Sequence, residues 1–215
     1  MEHISLDGVI APPGDDDYAN GGWTAAYRSP EGAAATAEAQ GDSFDLLLGR
    51  KTYDLWSTYW PKMKGGPFAD KINAATKYIV THRPESLAWG PLGDLDADAI
   101  DGIRKLKSQD GPDLLIWGSA SLTTVLLQQG LVDEIVLTVY PILLGKGKRC
   151  FSDSMDPREF AFVSSKASPT GLLLEGASWL VRRAVPEMTG VERLSAVRRA
   201  LAELAALGFV EVDDL

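Results

Sequence analysis

A chain of 215 residues with 45% hydrophobic content is long enough to bury a sizeable core in one enzyme-sized domain with an appendage. Its formal net charge of −9 argues against a general attraction to nucleic acid or to an anionic membrane, and leaves room only for a local basic pocket. The single cysteine, Cys150, excludes an internal disulfide and a zinc site built from several thiolates; with no basic-then-apolar leader and no run near the roughly 18 apolar residues of a membrane span, a cytoplasmic protein is expected.

In chain order, apolar runs near 3–11, 44–48, 77–81, 114–117 and 134–140 read as strands, with "FDLLLG" and "DLLIWG" buried on both faces. Helical patterns lie between several of them, at about 33–41, 51–58, 98–108 and 120–129. That alternation is expected of crossover connections and a mostly parallel central sheet, so the class is α/β. "APPGDDDYANGG", residues 11–22, is a surface loop by its turn formers and can cover a site. Two later runs, 159–167 and 172–183, form an antiparallel pair around "SPTG". The domain is expected over 1–185, and 186–215 as an appendage. There Thr189 and Glu192 have capping-box spacing, and Val191, Leu194, Val197, Leu201, Leu204 and Leu207 recur as one helical face; Gly208 ends the helix and "FVEV" offers a short strand. This face packs on its own subunit or on a second copy.

Three strand ends carry the chemistry. In "LLIWGSASL" a strand runs into Gly118, Ser119, Ala120, Ser121 and Leu122, small residues that open a helix and suit a phosphate, although serines also cap helices with no ligand present. "LLLGRKTYDLW" repeats the design with Gly49, Arg50, Lys51 and Thr52. "KYIVTHRP" delivers Thr81, His82 and Arg83 into a loop. Together they suit an extended ligand with several phosphates, such as a dinucleotide, held without a G-x-G-x-x-G or P-loop motif.

On the substrate side, Asp7 in "SLDG" either bonds a substrate hydroxyl or a proton-relaying water, as a catalytic group, or caps the Asp-Gly turn. Trp23 and Tyr27 stack on a flat heterocycle or pack in the core, and the same alternatives hold for Trp56, with Tyr59 and Trp60 continuing an aromatic cluster. Tyr140 precedes Pro141 at a strand end that can face the cleft. Lys146, Lys148 and Arg149 form a basic turn, either solvated or facing a phosphorylated substrate. His3 and His82, the only histidines, show no metal-ligand spacing, and Cys150 reads as a buried structural thiol.

"SLDGVIA", "LLLGRKTYDLW", "KYIVTHR", "DLLIWGSASL" and "DEIVLTVYPILLGKGKRCF", in this order over about residues 3–183, resemble the dihydrofolate reductase-like superfamily, and more closely the reductase domain of bacterial riboflavin biosynthesis, the RibD C-terminal-like family. The resemblance implies a three-layer fold with a mostly parallel sheet, an antiparallel C-terminal edge and flanking helices, NADPH as cofactor, a small-molecule substrate and a homodimer. It implies that Arg50 lies near a 2′-phosphate, that Gly49, Lys51 and Thr52 share its helix start, and that Thr81, His82 and Arg83 meet the adenosine end. It further implies that Gly118 to Leu122 lie near the pyrophosphate, Ile10 and Ala11 near the nicotinamide, and Thr138 on the substrate side. The acidic helix residue of folate reductases has Ala33 as its counterpart by spacing, with Glu31 and Glu38 offset, so dihydrofolate is not the expected substrate. The zinc deaminase of two-domain riboflavin proteins is absent from this sequence, which has one cysteine. The function implied is reduction of a pyrimidine or pterin-like ring, resembling 5-amino-6-(5-phosphoribosylamino)uracil reductase. The alternative is a catalytically silent protein that binds or senses NADPH or another nucleotide on the same fold.

Overall fold

The continuous apolar run "FDLLLG" becomes a central strand because both its faces find partners. In the computed structural model, which describes residues 1–11, 22–96, 98–151, 159–168, 170 and 173–178, this strand is β3 (Phe44–Gly49). Phe44, Leu46 and Leu48 pack with Tyr53, Ile72 and Ile79 in one cluster. Leu47, one residue out of phase, packs with Ile103 and Leu126 in the other. Each side chain of this kind contributes roughly 1.5–3 kcal/mol when fully buried.

Around β3 the strands β4 (Lys77–Val80), β5 (Leu92–Gly93) and β6 (Asp113–Leu115) form an all-parallel sheet in the order β5-β4-β3-β6. A second sheet carries β1 (Glu2–Ser5), β7 (Glu134–Tyr140), β9 (Ala161–Ala167) and β10 (Leu173–Ser178) in the order β1-β7-β10-β9. Here β1 runs parallel to β7, while β10 is antiparallel to both its neighbours, which is the expected antiparallel edge. The main-chain nitrogen of Met1 donates to Ile116 O at 2.7 Å, so β1 and the chain beyond β6 join the inner edges of the two sheets.

The run expected as one strand over 3–11 is two: β1 and β2 (Val9–Ala11), with β2 pairing β8 (Lys148–Arg149). Leu6, Asp7 and Gly8 turn the chain between them, Gly8 N bonding Ser5 O and Val9 N bonding Ser5 Oγ, both at 2.9 Å. Helices α1 (Pro30–Gln40), α2 (Arg50–Tyr59), α4 (Ala99–Lys107) and α5 (Ala120–Gln128) match the periodicity within a few residues. Ser29 caps α1 by accepting from Gly32 N, and Asp98 caps α4 by accepting from Ile100 N and Asp101 N. The helix α3 (Pro67–Ala74) is additional to the expected ones; "GGP" before it reads as loop, yet Pro67 is a first-turn residue.

The chain divides into two compact units, Met1–Trp179 and Leu180–Leu215. The amphipathic helix and short strand expected over 186–215 lie outside the described residues, as does most of the 11–22 loop. Among the described residues no helix is long and apolar enough to cross a membrane.

Candidate active site

Beyond the carboxyl ends of β3 and β6 lies a cleft of about 1420 Å³. Two helix starts meet at its floor and are stitched together by one serine. Ser119 Oγ accepts from Gly49 N at 2.9 Å and donates to Thr52 Oγ1 at 3.0 Å; Ser119 N also donates to Thr52 Oγ1, at 3.2 Å. Holding this arrangement requires two successive left-handed residues, Gly118 (φ +59°) and Ser119 (φ +54°). The second is strained for a side chain other than glycine and is held by those hydrogen bonds. The consequence is that α5 opens directly on the cleft, where the amides of Ala120 and Ser121 have no intrahelical acceptor while that of Leu122 is spent on Ser119 O at 2.7 Å.

Gly49, Arg50, Lys51, Thr52 and the whole run Gly118, Ser119, Ala120, Ser121 and Leu122 line the cleft, as do Ile10 and Ala11. Thr81, His82 and Arg83 do not line it; Val80, the last residue of β4, does. Past that strand the chain enters a short 3-10 turn, and Thr81 Oγ1 is used in accepting from Arg83 N at 3.1 Å. The loop is tied to the cleft through Arg50, which donates to Arg83 O (3.0 Å) and Ser86 Oγ (2.6 Å) and pairs with Asp54 at 2.8 Å.

The other lobe is aromatic. Trp23, Trp56, Trp60 and Phe68 line it together with Arg28 and Thr36. Tyr27, Thr138 and Tyr140 are not on its surface. Tyr140 is buried behind the wall, with Trp23 edge-on at 5.0 Å and Tyr27 at 5.6 Å. Thr138 is buried opposite His3 in the β1–β7 ladder. It is His3 that stands at the cleft, its ring 5.3 Å from Trp117 and its Nδ1 2.8 Å from Tyr140 Oη. The signal available in sequence was one of only two histidines, at the start of the first strand; its partner is 137 positions away.

Electrostatics separate these groups further. Burial pushes the Glu2 carboxyl up to about 7, against the pull of the nearby Met1 amine and the hydrogen bonds from Thr123 and Gly118. Burial also brings His3 down to about 4, with the Met1 amine and Arg28 acting in the same direction. Tyr140 is pushed up to about 12 by burial. Asp7 does not line the cleft. Its carboxylate accepts from Ser5 Oγ (2.6 Å), Leu144 N (3.0 Å) and Gly145 N (2.7 Å), and these bonds, led by that from Ser5, bring it down to about 2. A carboxylate so held is a staple between the β1–β2 turn and the loop after β7, not a proton donor near neutral pH. On α1, Ala33, Glu31 and Glu38 are all exposed, and Glu38 pairs with Lys166 at 2.8 Å. The α1 residue at the cleft is Thr36, whose hydroxyl donates to Gly32 O.

Of the basic turn, Lys148 reaches the cleft wall while Arg149 bonds the Asp7 carbonyl. Gly147 makes this possible: a Cβ there would stand 2.2 Å from Ala11 O, so only glycine lets β8 close on β2. Cys150 is buried and its thiol is pushed up to about 12, as expected of an inert packing group.

Comparison with known proteins agrees with this geometry. Two Bacillus subtilis proteins of uncharacterized function are similar in sequence: YyaP, 29% identical over 133 residues (60% of this chain, 70% of YyaP), and YwjB, 28% identical over 163 residues (76% and 87%). Among solved structures, a putative riboflavin biosynthesis protein from Shewanella sp. PV-4 superposes with a TM-score of 0.56 at 22% identity, over 82% of this chain and 95% of that one. A Thermotoga maritima diaminohydroxyphosphoribosylaminopyrimidine deaminase/5-amino-6-(5-phosphoribosylamino)uracil reductase gives 0.55 at 17% identity, over 82% of this chain and 54% of that one. Dihydrofolate reductase from Enterococcus faecalis, complexed with NADP(H), gives 0.56 at 15% identity over 82% and 92%. These likenesses establish the dihydrofolate reductase-like fold. The profile of the RibD C-terminal domain matches residues 2–174, and with nearly the whole described chain inside that match, this protein belongs to the RibD C-terminal domain family.

Proposed function

We infer that this protein is an NADPH-dependent reductase of a small flat heterocycle, a pyrimidine or a pterin-like ring. The observation that carries the reading is one cleft lined both by backbone turns and helix starts and by aromatic rings. Its volume exceeds the roughly 300–1,000 Å³ of a pocket for one small ligand, which leaves room for a dinucleotide and a substrate side by side. The family supports a reductase, and the names of the Thermotoga and Enterococcus proteins support a pyrimidine or pterin-type ring and a nicotinamide cofactor.

The donor set fits that cofactor. The amides of Ala120 and Ser121 and the positive end of α5 suit a pyrophosphate, Gly118 offers bare backbone for close approach, and Arg50 and Lys51 suit a phosphate ester at the start of α2. Ile10 and Ala11 present an apolar edge for the nicotinamide end. When bound, NADPH supplies the hydride. The chain's share is orientation: Trp23, Trp56 and Trp60 hold a flat ring, exclude water and limit its approach to one edge. A homodimer working in the cytoplasm completes the reading, and sedimentation of the purified protein tests its first part.

The deciding experiment is a titration of tryptophan fluorescence with NADPH and with NADH, followed by cofactor oxidation with a panel of pyrimidines and pterins. Saturable quenching that favours NADPH, with turnover of at least one ring, supports the reading. Binding without turnover across the panel moves the protein to a silent nucleotide-binding role. No binding of either cofactor ends the proposal.

A further inference from the structure

The cleft's aromatic lobe contains a hydrogen-bonding device that reductive chemistry on a flat ring alone does not require. His3 sits on its wall, and its Nδ1 is 2.8 Å from Tyr140 Oη. Tyr140 is buried, enclosed by His3, Trp23 and Tyr27, and His3 Nδ1 is the one partner of its hydroxyl among the described residues. A buried phenol proton needs an acceptor. Nδ1 serves only if it carries no proton of its own, so the neutral ring holds its proton on Nε2. Among the described residues nothing accepts from Nε2.

The carboxylates at the cleft are engaged elsewhere. Asp54 pairs with Arg50, and Glu2 accepts from Thr123 Oγ1 at 3.2 Å. Among the described residues the remaining charged group of the aromatic lobe is Arg28, another donor. Among the described residues the lobe therefore presents donors to its ligand and no free carboxylate.

We propose that His3, fixed as the Nε2–H tautomer by Tyr140, is the hydrogen-bond donor that reads a carbonyl oxygen or imine nitrogen on the substrate ring. The site then selects rings that present acceptors at that edge over rings that present amino groups. Tyr140 acts through His3 and is a positioning residue. This inference rests on the reductase reading for the word substrate, but its test needs no cofactor and no turnover.

The chain's two histidines make the test direct. Protein with 15N-labelled histidine gives two ring systems in a long-range proton–nitrogen correlation spectrum, and His82→Gln assigns them. At neutral pH the His3 signals should be those of the Nε2–H tautomer. Tyr140→Phe, which keeps the ring against Trp23 and Tyr27, should mix the tautomers while leaving the remaining spectrum folded. Two pyrimidines of similar shape then serve as probes. Uracil, with two carbonyls, should shift the His3 Nε2 signal and bind; 2,4-diaminopyrimidine should do neither to the same degree. His3→Phe should weaken uracil by about tenfold or more and leave the diamino probe unchanged, and His3→Gln, which retains an N–H donor, should recover part of the loss. An Nδ1–H tautomer, equal losses for the two probes, or no His3 shift up to the solubility limit of uracil overturns the proposal. If NADPH binding fails while these shifts appear, the reductase reading falls and the His3 assignment stands.

Discussion

The two walls of the cleft are built in opposite ways. The wall of α2 and α5 is made where strands end: Gly49, Arg50 and Thr52 are near-neighbours in the chain, as are Gly118 and Ser119, and apart from Arg50 the groups these bring to the cleft are backbone and short side chains. The other wall depends on side chains drawn from remote segments, His3, Trp23 and Trp117 at the cleft and Tyr140 buried behind them, whose meaning appears only when they meet. One wall is defined by conformation, the other by the protonation and packing of particular rings. Substitutions should act on them differently.

The largest expected effect lies where the walls share β1. Glu2 and His3 are adjacent, so they point to opposite faces of the sheet, Glu2 to Thr123 of α5 and His3 to Tyr140. Burial raises Glu2 from 4.5 to about 7, so between those values the native state holds the extra proton and stability falls as pH rises. Burial lowers His3 from 6.5 to about 4, so across that window the unfolded chain holds the extra proton and stability rises with pH. The two slopes oppose one another over their shared range, and the protein should show a nearly flat stability profile there. Glu2→Gln should expose a gain on the order of 3 kcal/mol as pH rises through the His3 window, and His3→Gln a loss of similar size through the Glu2 window. Urea midpoints across pH 4 to 7 check both. Parallel, flat profiles in the two variants would mean that neither group is desolvated as described.

The second effect tests the conformational wall through Arg50. Arg50→Ala should weaken NADPH by about 1.5–3 kcal/mol, the range for a hydrogen bond to a charged group, and leave NADH nearly unchanged. Isothermal titration with both cofactors measures it. Equal losses would place Arg50 in loop support alone, the role its bonds to Arg83 O and Ser86 Oγ already show.

Smaller still is the contribution of the strained serine. Ser119→Ala keeps the left-handed backbone and deletes the hydroxyl that joins Gly49 N to Thr52, so it should lower stability by about 1–2 kcal/mol. Ser119→Gly deletes the same bonds but relieves the φ of +54°, and should recover about 1 kcal/mol of that loss. Thermal unfolding of the pair decides it. A glycine variant no more stable than the alanine one would remove strain from the account of this turn.

These effects also mark what the sequence could say. The turns of the first wall were legible because each lies within a few residues: "GRKT" and "WGSAS" give a strand end, a glycine and a helix start in one glance. The run "FDLLLG" likewise announced a strand covered on both sides. Thr81, His82 and Arg83 lie off the cleft lining, since a strand's end is visible in sequence while the direction in which the following loop bends is not. Helix α3 was hidden by its own start, since "GGP" signals a loop as readily as a first helical turn. Thr138 and Tyr140 lie on the expected strand but are buried behind the cleft surface, and the place of His3 beside them is not legible in sequence, because the β1–β7 register that pairs them joins segments more than 130 residues apart.

Asp7 draws the sharpest line between the walls, since a carboxylate beside a cleft is the group most readily taken for a proton donor. Its oxygens are filled by Ser5 Oγ and by the amides of Leu144 and Gly145, which hold it down to about 2. A depressed carboxyl stabilises the fold above its unfolded value of 3.8, and that contribution is lost as pH falls from there toward 2. Asp7→Asn replaces one accepting oxygen with an NH₂ that faces an N–H donor, so the variant should be less stable at neutral pH and should lack this part of the acid limb. Turnover should survive in the fraction that folds, because the side chain does not reach the cleft. Acid unfolding monitored by circular dichroism, beside kcat at neutral pH, separates the two roles: a variant with its fold intact and its turnover abolished would return Asp7 to the chemistry, whereas lost acid sensitivity with retained turnover leaves it as the staple that closes the β1–β2 turn against the loop after β7.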